Sequence, residues 1–196
     1  VTCTKSNEGF ATAGGVQYVA CAGNFKDAGL EYTGALKVLQ MIFSYEYLWI
    51  QIRVKGGAYG CMCSFSDQGD SMFVTYRDPN LSESYKVYDE AADYVADFDA
   101  DDRDMKKYII GTIGSMDMPM EAVDMGARSF HAYFLGKTEA DLQKVRDQVL
   151  SCTQEDIRAL APIVKAVVEA GNRCCIGNEE KIDQNKEYFD EVKHVL

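Results

Sequence analysis

The chain has 196 residues, 47% hydrophobic and 26% charged, with a formal net charge of −11. This fits one globular domain with a substantial core. The charge would repel phosphate backbones, so nucleic acid is excluded as a partner, and no apolar run approaches the ~20 residues that span a bilayer, so no membrane partner is expected.

The elements follow in chain order. Gly14-Gly15 marks a turn, and Val16 to Cys21 is rich in β-formers and reads as a strand. After a glycine-bounded loop, Tyr32 to Ile52 reads as one long helix, with Leu36, Leu39, Phe43, Tyr47 and Ile50 at spacings of three or four. Strands over Tyr59–Phe65 and Met72–Tyr76 flank Asp67-Gln68-Gly69-Asp70, which carries hairpin chemistry. Pro79 keeps Asp78 extended, and Asn80 or Ser82 is a candidate cap for a helix over 81–98. Asp99 to Asp104 lacks the spaced oxygens, glycine turn and closing glutamate of a calcium loop, and acids there suit a helix N-terminus.

Helices are then expected over 103–115, 120–135, 139–150 and 154–170, with Thr138 and Thr153 as N-caps. Asp156 makes the second only a loose match to a capping box. A short strand over 173–176 and a final helix over 179–192 complete the chain. Grouped strands followed by bunched helices define an α+β class: a two-layer sandwich with a largely antiparallel sheet covered on one face by helices. Few prolines and no low-complexity tract make residues 1–196 a single domain.

The stretch Leu48-Trp49-Ile50-Gln51-Ile52-Arg53-Val54-Lys55-Gly56-Gly57-Ala58-Tyr59-Gly60 carries the most chemistry. A helical run ends in basic residues, a double glycine breaks it, and a tyrosine lands where a β-run begins. Glycine takes positive φ, or admits another chain closely, without a Cβ penalty. The turn should therefore bring Arg53 and Tyr59 together. A guanidinium fork and a phenolic hydroxyl suit a peptide carbonyl, a carboxylate or a developing oxyanion. Read without further context, Arg53 also serves to neutralise a helix C-terminus, and Tyr59 could be a strand aromatic.

The segments Ile52-Arg53-Val54-Lys55-Gly56-Gly57-Ala58-Tyr59-Gly60 and Ser71-Met72-Phe73-Val74-Thr75-Tyr76-Arg77-Asp78-Pro79-Asn80-Leu81 resemble the C-terminal region of insulinase-type (pitrilysin-type) zinc metallopeptidases, closest to the presequence-protease branch. The resemblance implies a C-terminal, non-zinc domain of a longer four-domain chain whose two halves enclose a chamber. It implies Arg53 and Tyr59 as catalytic groups lent to an active site elsewhere, with Gly57 and Ala58 beside them at the substrate. It further implies a peptide substrate, the N-terminal catalytic domains of the same chain as partners, and an exposed interface able to drive self-association.

Zinc, in that family, belongs to a His-x-x-Glu-His motif in the first domain. Here His131 and His194 are far apart and in no such motif, so no metal or cofactor is expected in this chain, and it should be inert alone. His131 is expected to be packed or partly buried, and His194 solvated. Glycines 56, 57 and 60 follow a helix, the reverse of a phosphate cradle. Seven cysteines without C-x-x-C spacing read as reduced thiols in a cytosolic-type compartment or organelle matrix, and no signal peptide is evident. The alternative reading is a non-catalytic insulinase-like scaffold or peptide-binding module.

Overall fold

The computed structural model describes residues 4–195. It runs β1 (Glu8–Thr12), β2 (Tyr18–Asn24), α1 (Ala35–Tyr45), a π-helical segment (Trp49–Lys55), β3 (Gly60–Phe65), β4 (Asp70–Tyr76), α2 (Ser82–Asp89) and α3 (Ala91–Ala96). There follow α4 (Asp102–Met116), α5 (Ala122–Phe134), α6 (Glu139–Leu150), α7 (Gln154–Arg158), α8 (Ala161–Glu169), β5 (Asn172–Asn178), α9 (Glu179–Gln184) and β6 (Glu191–His194). One sheet has the order β3-β4-β2-β5-β1-β6. Pairings from β3 through β5 are antiparallel. β1 runs parallel to both β5 and β6.

Alternation along the strands sorts the two faces. Val19, Cys21, Cys63, Phe65, Phe73, Thr75 and Cys175 are buried under the helices. Tyr18, Met62, Met72, Tyr76 and Ile176 stand exposed on the other face. This is the α+β two-layer arrangement expected, with a mixed sheet at the β1 side. The core centres on fully buried Phe43, whose ring meets Tyr47, Phe65, Phe73 and Tyr94. Tyr85 and Tyr88 of α2 are also fully buried, and their hydroxyls donate to the carbonyls of Cys174 and Val19. Those bonds satisfy two polar groups in an apolar layer and tie α2 to the sheet.

Several boundaries differ from the sequence reading. The long helix over 32–52 is interrupted at Glu46, which is not helical (φ −108°, ψ −80°), and continues with π geometry. The helix over 81–98 splits at Glu90, and that over 154–170 splits before Pro162 in the first turn of α8. The expected final helix stops at Gln184, and Glu191–His194 is instead a strand. Tertiary pairing decides that segment: the Asp190 N–H donates to the Asn7 carbonyl at 2.8 Å, and Asn7 N–H donates back to the Asp190 carboxylate at 2.8 Å. These bonds deliver residues 191–194 to the free edge of β1.

Thr138 and Thr153 do cap α6 and α7, both as full reciprocal capping boxes with Asp141 and Asp156 in the acidic position. Asp101 caps α4, accepting from the Asp104 N–H. Neither Asn80 nor Ser82 caps α2; Leu81 occupies that place without a side-chain bond.

Candidate functional site

Buried Leu48 and Ile52 anchor the π-helical segment, which turns Trp49 and Arg53 outward. The Arg53 guanidinium carbon lies 4.1 Å from the Trp49 ring centroid and 5.8 Å from that of Tyr59. The cation is thus held over one aromatic face and beside a second, an attraction of about 0.5–1 kcal/mol at exposed sites. Tyr59 itself is 64% exposed.

The double glycine works by two mechanisms. Gly57 has φ +80°, the left-handed region that glycine adopts freely. Gly56 has an ordinary φ of −80°, but a Cβ there would lie 2.6 Å from the Ile52 carbonyl oxygen, so it is required for space. Around it the Gly56 N–H donates to Gln51 O at 3.0 Å, Gly57 N–H to Arg53 O at 3.0 Å, and Ala58 N–H to Ile52 O at 3.1 Å. This is a Schellman-like helix ending stretched by π geometry. It commits the N–H groups of Gly57 and Ala58 to the turn, and Ala58 is buried.

The turn is fastened to the end of β4. Tyr59 N–H donates to Arg77 O at 3.3 Å, and Asn80 Nδ2 donates to Gly56 O at 2.6 Å. Arg77 has φ +49°, a left-handed residue without being glycine. Asp78 behind it is fully buried. Its carboxylate accepts from Ser84 Oγ at 2.6 Å and Asn80 N–H at 2.9 Å. Its backbone exchanges bonds of 2.7 and 2.8 Å with buried Gln17. Burial raises the Asp78 pKa, and the Ser84 and Asn80 bonds work against that rise. The Arg77 guanidinium carbon lies 5.5 Å from the Tyr76 ring centroid, over that ring.

Tyr59 packs edge-on against Tyr76 with centroids 5.7 Å apart, and Tyr76 against Tyr18 at 5.5 Å. The site therefore opens onto the uncovered sheet face along an aromatic row. Sequence reading singled out Arg53, Tyr59, Gly57 and Ala58, and the structure brings all of them to this junction. It missed Trp49, Asp78 and Gln17 as supports, and took Asn80 only as a helix cap. Trp49, four residues before Arg53, was the one signal available in the pattern.

Burial pushes the thiols of Cys21 and Cys61 up to about 11 and those of Cys152 and Cys175 up to about 12, with nearby Arg53 opposing the rise at Cys61. Cys3 lies outside the described residues. Among the described residues no group of three or more His, Cys, Asp or Glu side chains could hold a metal ion. His131, expected to be packed, is exposed on α5, because no residue of that helix is buried. The exposed His194 on β6 lies 3.4 Å from Glu179. No helix among the described residues is long and apolar enough to cross a membrane.

Solved structures share this architecture. The peptidase M16 inactive domain from Pseudomonas fluorescens superposes with a TM-score of 0.64 at 17% identity, over 89% of this chain and 44% of that one. Pitrilysin does so with a TM-score of 0.55 at 12% identity, over 90% of this chain and 20% of that one. An M16 peptidase-domain fold is thereby defined. Residues 7–178 match the PreP C-terminal domain family, and the chain belongs to it. Among curated relatives, Protein HypA of Clostridium perfringens is 43% identical over 192 residues, covering 98% of this chain and 20% of that protein. Presequence protease 1, chloroplastic/mitochondrial, of Arabidopsis thaliana is 34% identical over 194 residues, covering 97% and 18%. The chain thus spans about a fifth of the length of these relatives.

Proposed function

We propose that this domain assists catalysis in a longer zinc peptidase, lending Arg53 and Tyr59 to an active site whose metal is held elsewhere in the polypeptide. The observation that carries this reading is the pre-set Arg53–Tyr59 pair, exposed on a junction fixed by the glycine turn and by Asn80. Two donors on rigid supports suit an oxygen that gains negative charge, because they need no rearrangement as the charge develops. The Tyr59 hydroxyl donates a hydrogen bond to the peptide carbonyl oxygen and to the oxyanion it becomes. Arg53, oriented by Trp49, binds the peptide backbone or a carboxylate and keeps Tyr59 in place. The carbonyls of Gly57 and Ala58 line the same edge and accept from substrate N–H groups. These described residues do not fit a zinc ion, so no step is assigned to metal chemistry on this domain.

Both donors are exposed here and would gain strength only when another domain closes over them and excludes water. The peptide substrate, the same-chain partner domains and a cytoplasmic or organelle-matrix setting belong to this proposal. The names of relatives, such as presequence protease, mitochondrial, from Aspergillus fumigatus, accord with it. The test is peptide hydrolysis by the complete polypeptide carrying Tyr59→Phe or Arg53→Ala. Loss of an oxyanion donor typically lowers kcat by about 10²–10³, and kcat should fall on that order with the fold intact. Unchanged kcat/KM in both variants would favour the scaffold reading instead.

A further inference from the structure

Helix α5 is 13 residues long, and none of them is buried in this chain. Met125 apart, its large apolar side chains gather on one side. Val123, Ala127, Phe130 and Phe134 fall at spacings of four, three and four, one stripe along the helix. Val123 is 79%, Phe130 65% and Phe134 69% exposed, and the Phe130 and Phe134 rings pack on each other with centroids 4.5 Å apart. Exposed Met118, Met120 and Tyr133 extend the patch. A groove of about 770 Å³ lies among α1, α4 and α6 and reaches α5 at Arg128, with Met41, Met116 and Leu142 in its walls. Lys37 and Arg128 also line it and make no ion pair among the described residues.

A helix of this length is marginal in water alone, and most helices depend on burying an apolar stripe. The stripe of α5 finds no cover in its own domain, and single-stripe exposure on this scale marks an interface.

We infer that the α5 stripe and the groove beside it are the docking surface for the domain that precedes this one in the same polypeptide. This deepens the proposed function and rests on it. Two observations select that occupant. The relatives carry about four-fifths of their length outside the region matched here, so an apolar partner surface on the same chain is at hand. A second copy is disfavoured by charge: the chain carries −11, and two copies would repel. The docking segment is itself neutral, with Glu121 and Asp124 offset by Arg128 and Lys137. The partner surface should therefore be an apolar ridge flanked by a carboxylate that meets Arg128 or Lys37.

The experiment is amide hydrogen exchange on the complete polypeptide, read over residues 122–134, for the wild type and for Phe130→Glu/Phe134→Glu. The expected result is slow exchange of α5 in the wild type at every protein concentration, and exchange at least about tenfold faster in the variant, a step of about 1.4 kcal/mol, with α1 and β4 still slow. Fast exchange of α5 in the wild type would overturn the inference. So would protection that vanishes on dilution, which means a second copy, or protection that appears only with added peptide, which means a substrate site. Carbene footprinting of the wild type needs no variant: strong labelling of Phe130 and Phe134 in the complete polypeptide would also refute the docking. Neither readout depends on Arg53 or Tyr59, so loss of the catalytic reading and loss of the docking surface remain separate results.

Discussion

The two glycines of the site turn should respond differently to the same substitution. At Gly57 an alanine would adopt φ +80°. Left-handed backbone costs a non-glycine residue about 1–2 kcal/mol, offset by the ~0.4–1 kcal/mol that alanine gains by restricting the unfolded chain. The new Cβ would sit 3.6 Å from Pro79 Cγ, an ordinary contact, so no steric term is added. Gly57→Ala should destabilise by about 1 kcal/mol, or about 2–4 °C in Tm for a chain of this size. Gly57→Asn should recover much of that, because asparagine tolerates the left-handed region. Gly56→Ala meets no φ penalty, but its Cβ would press on the Ile52 oxygen at 2.6 Å and the Gln51 oxygen at 3.1 Å. Both oxygens accept bonds that shape the turn, so the turn must move, and Tyr59 with it. The chain has a single tryptophan, and it carries the Arg53 stack. Trp49 fluorescence therefore reports the turn directly, while thermal denaturation reports stability. Gly57→Ala should lower Tm with emission little changed, and Gly56→Ala should shift the emission. Equal destabilisation by alanine and asparagine at 57, or an unaltered Trp49 emission in Gly56→Ala, would refute this account.

Phe43→Ala should cost about 3–5 kcal/mol by opening a cavity amid four aromatic neighbours; a urea midpoint within error of wild type would contradict its place at the core's centre. Asp78 has a folded pKa above its ordinary 3.8, so its contribution is most favourable below that value and is lost as pH rises through the raised one. Asp78→Asn should remove that component, and a stability–pH curve parallel to the wild type's would show that the carboxylate is not the source. The raised thiol pKa values of Cys21, Cys61, Cys152 and Cys175 make these groups almost wholly protonated at pH 8. Disulfide-reagent titration of the native chain should leave them slow, and all should react in guanidinium; fast native reaction of Cys21, Cys152 and Cys175 would contradict their burial.

Periodicity made most of the fold legible, because long amphipathic segments bury one stripe whatever their partners. The Asp at the third position of α6 and α7 shows where a stricter motif would have misled: a shorter carboxylate closes the same reciprocal capping box. What failed was non-local. Glu191–His194 has an apolar–polar mix that suits either state, and its pairing with β1, led in by the bonds of Asp190 to Asn7, makes it a strand. β1 likewise takes its order from elsewhere, its five residues pairing with β5 on one side and β6 on the other. Short strands at a parallel edge carry little signal of their own, since the pairing partner lies more than 160 residues away in sequence.

The site divides along the same line. Arg53 and Tyr59 were legible because a basic helix end, a double glycine and an aromatic β-start are local and adjacent. Their supports were not, because each acts across the chain. Asn80 looks like a helix cap until its side chain is seen donating to Gly56 O, and the helix it might have capped goes without a side-chain bond. That exchange has a consequence for the chemistry. The cap it forgoes is typically worth ~1 kcal/mol, a stability given up at α2, while the bond it makes fixes the carbonyl one residue before the left-handed Gly57. Gln17 and Ser84 then hold Asp78, Asp78 holds Asn80, and Asn80 holds the turn that sets the Arg53–Tyr59 distance. A site placed at the end of such a series is rigid without being buried. That is the combination the proposed function asks of Arg53 and Tyr59, exposed side chains held in fixed positions.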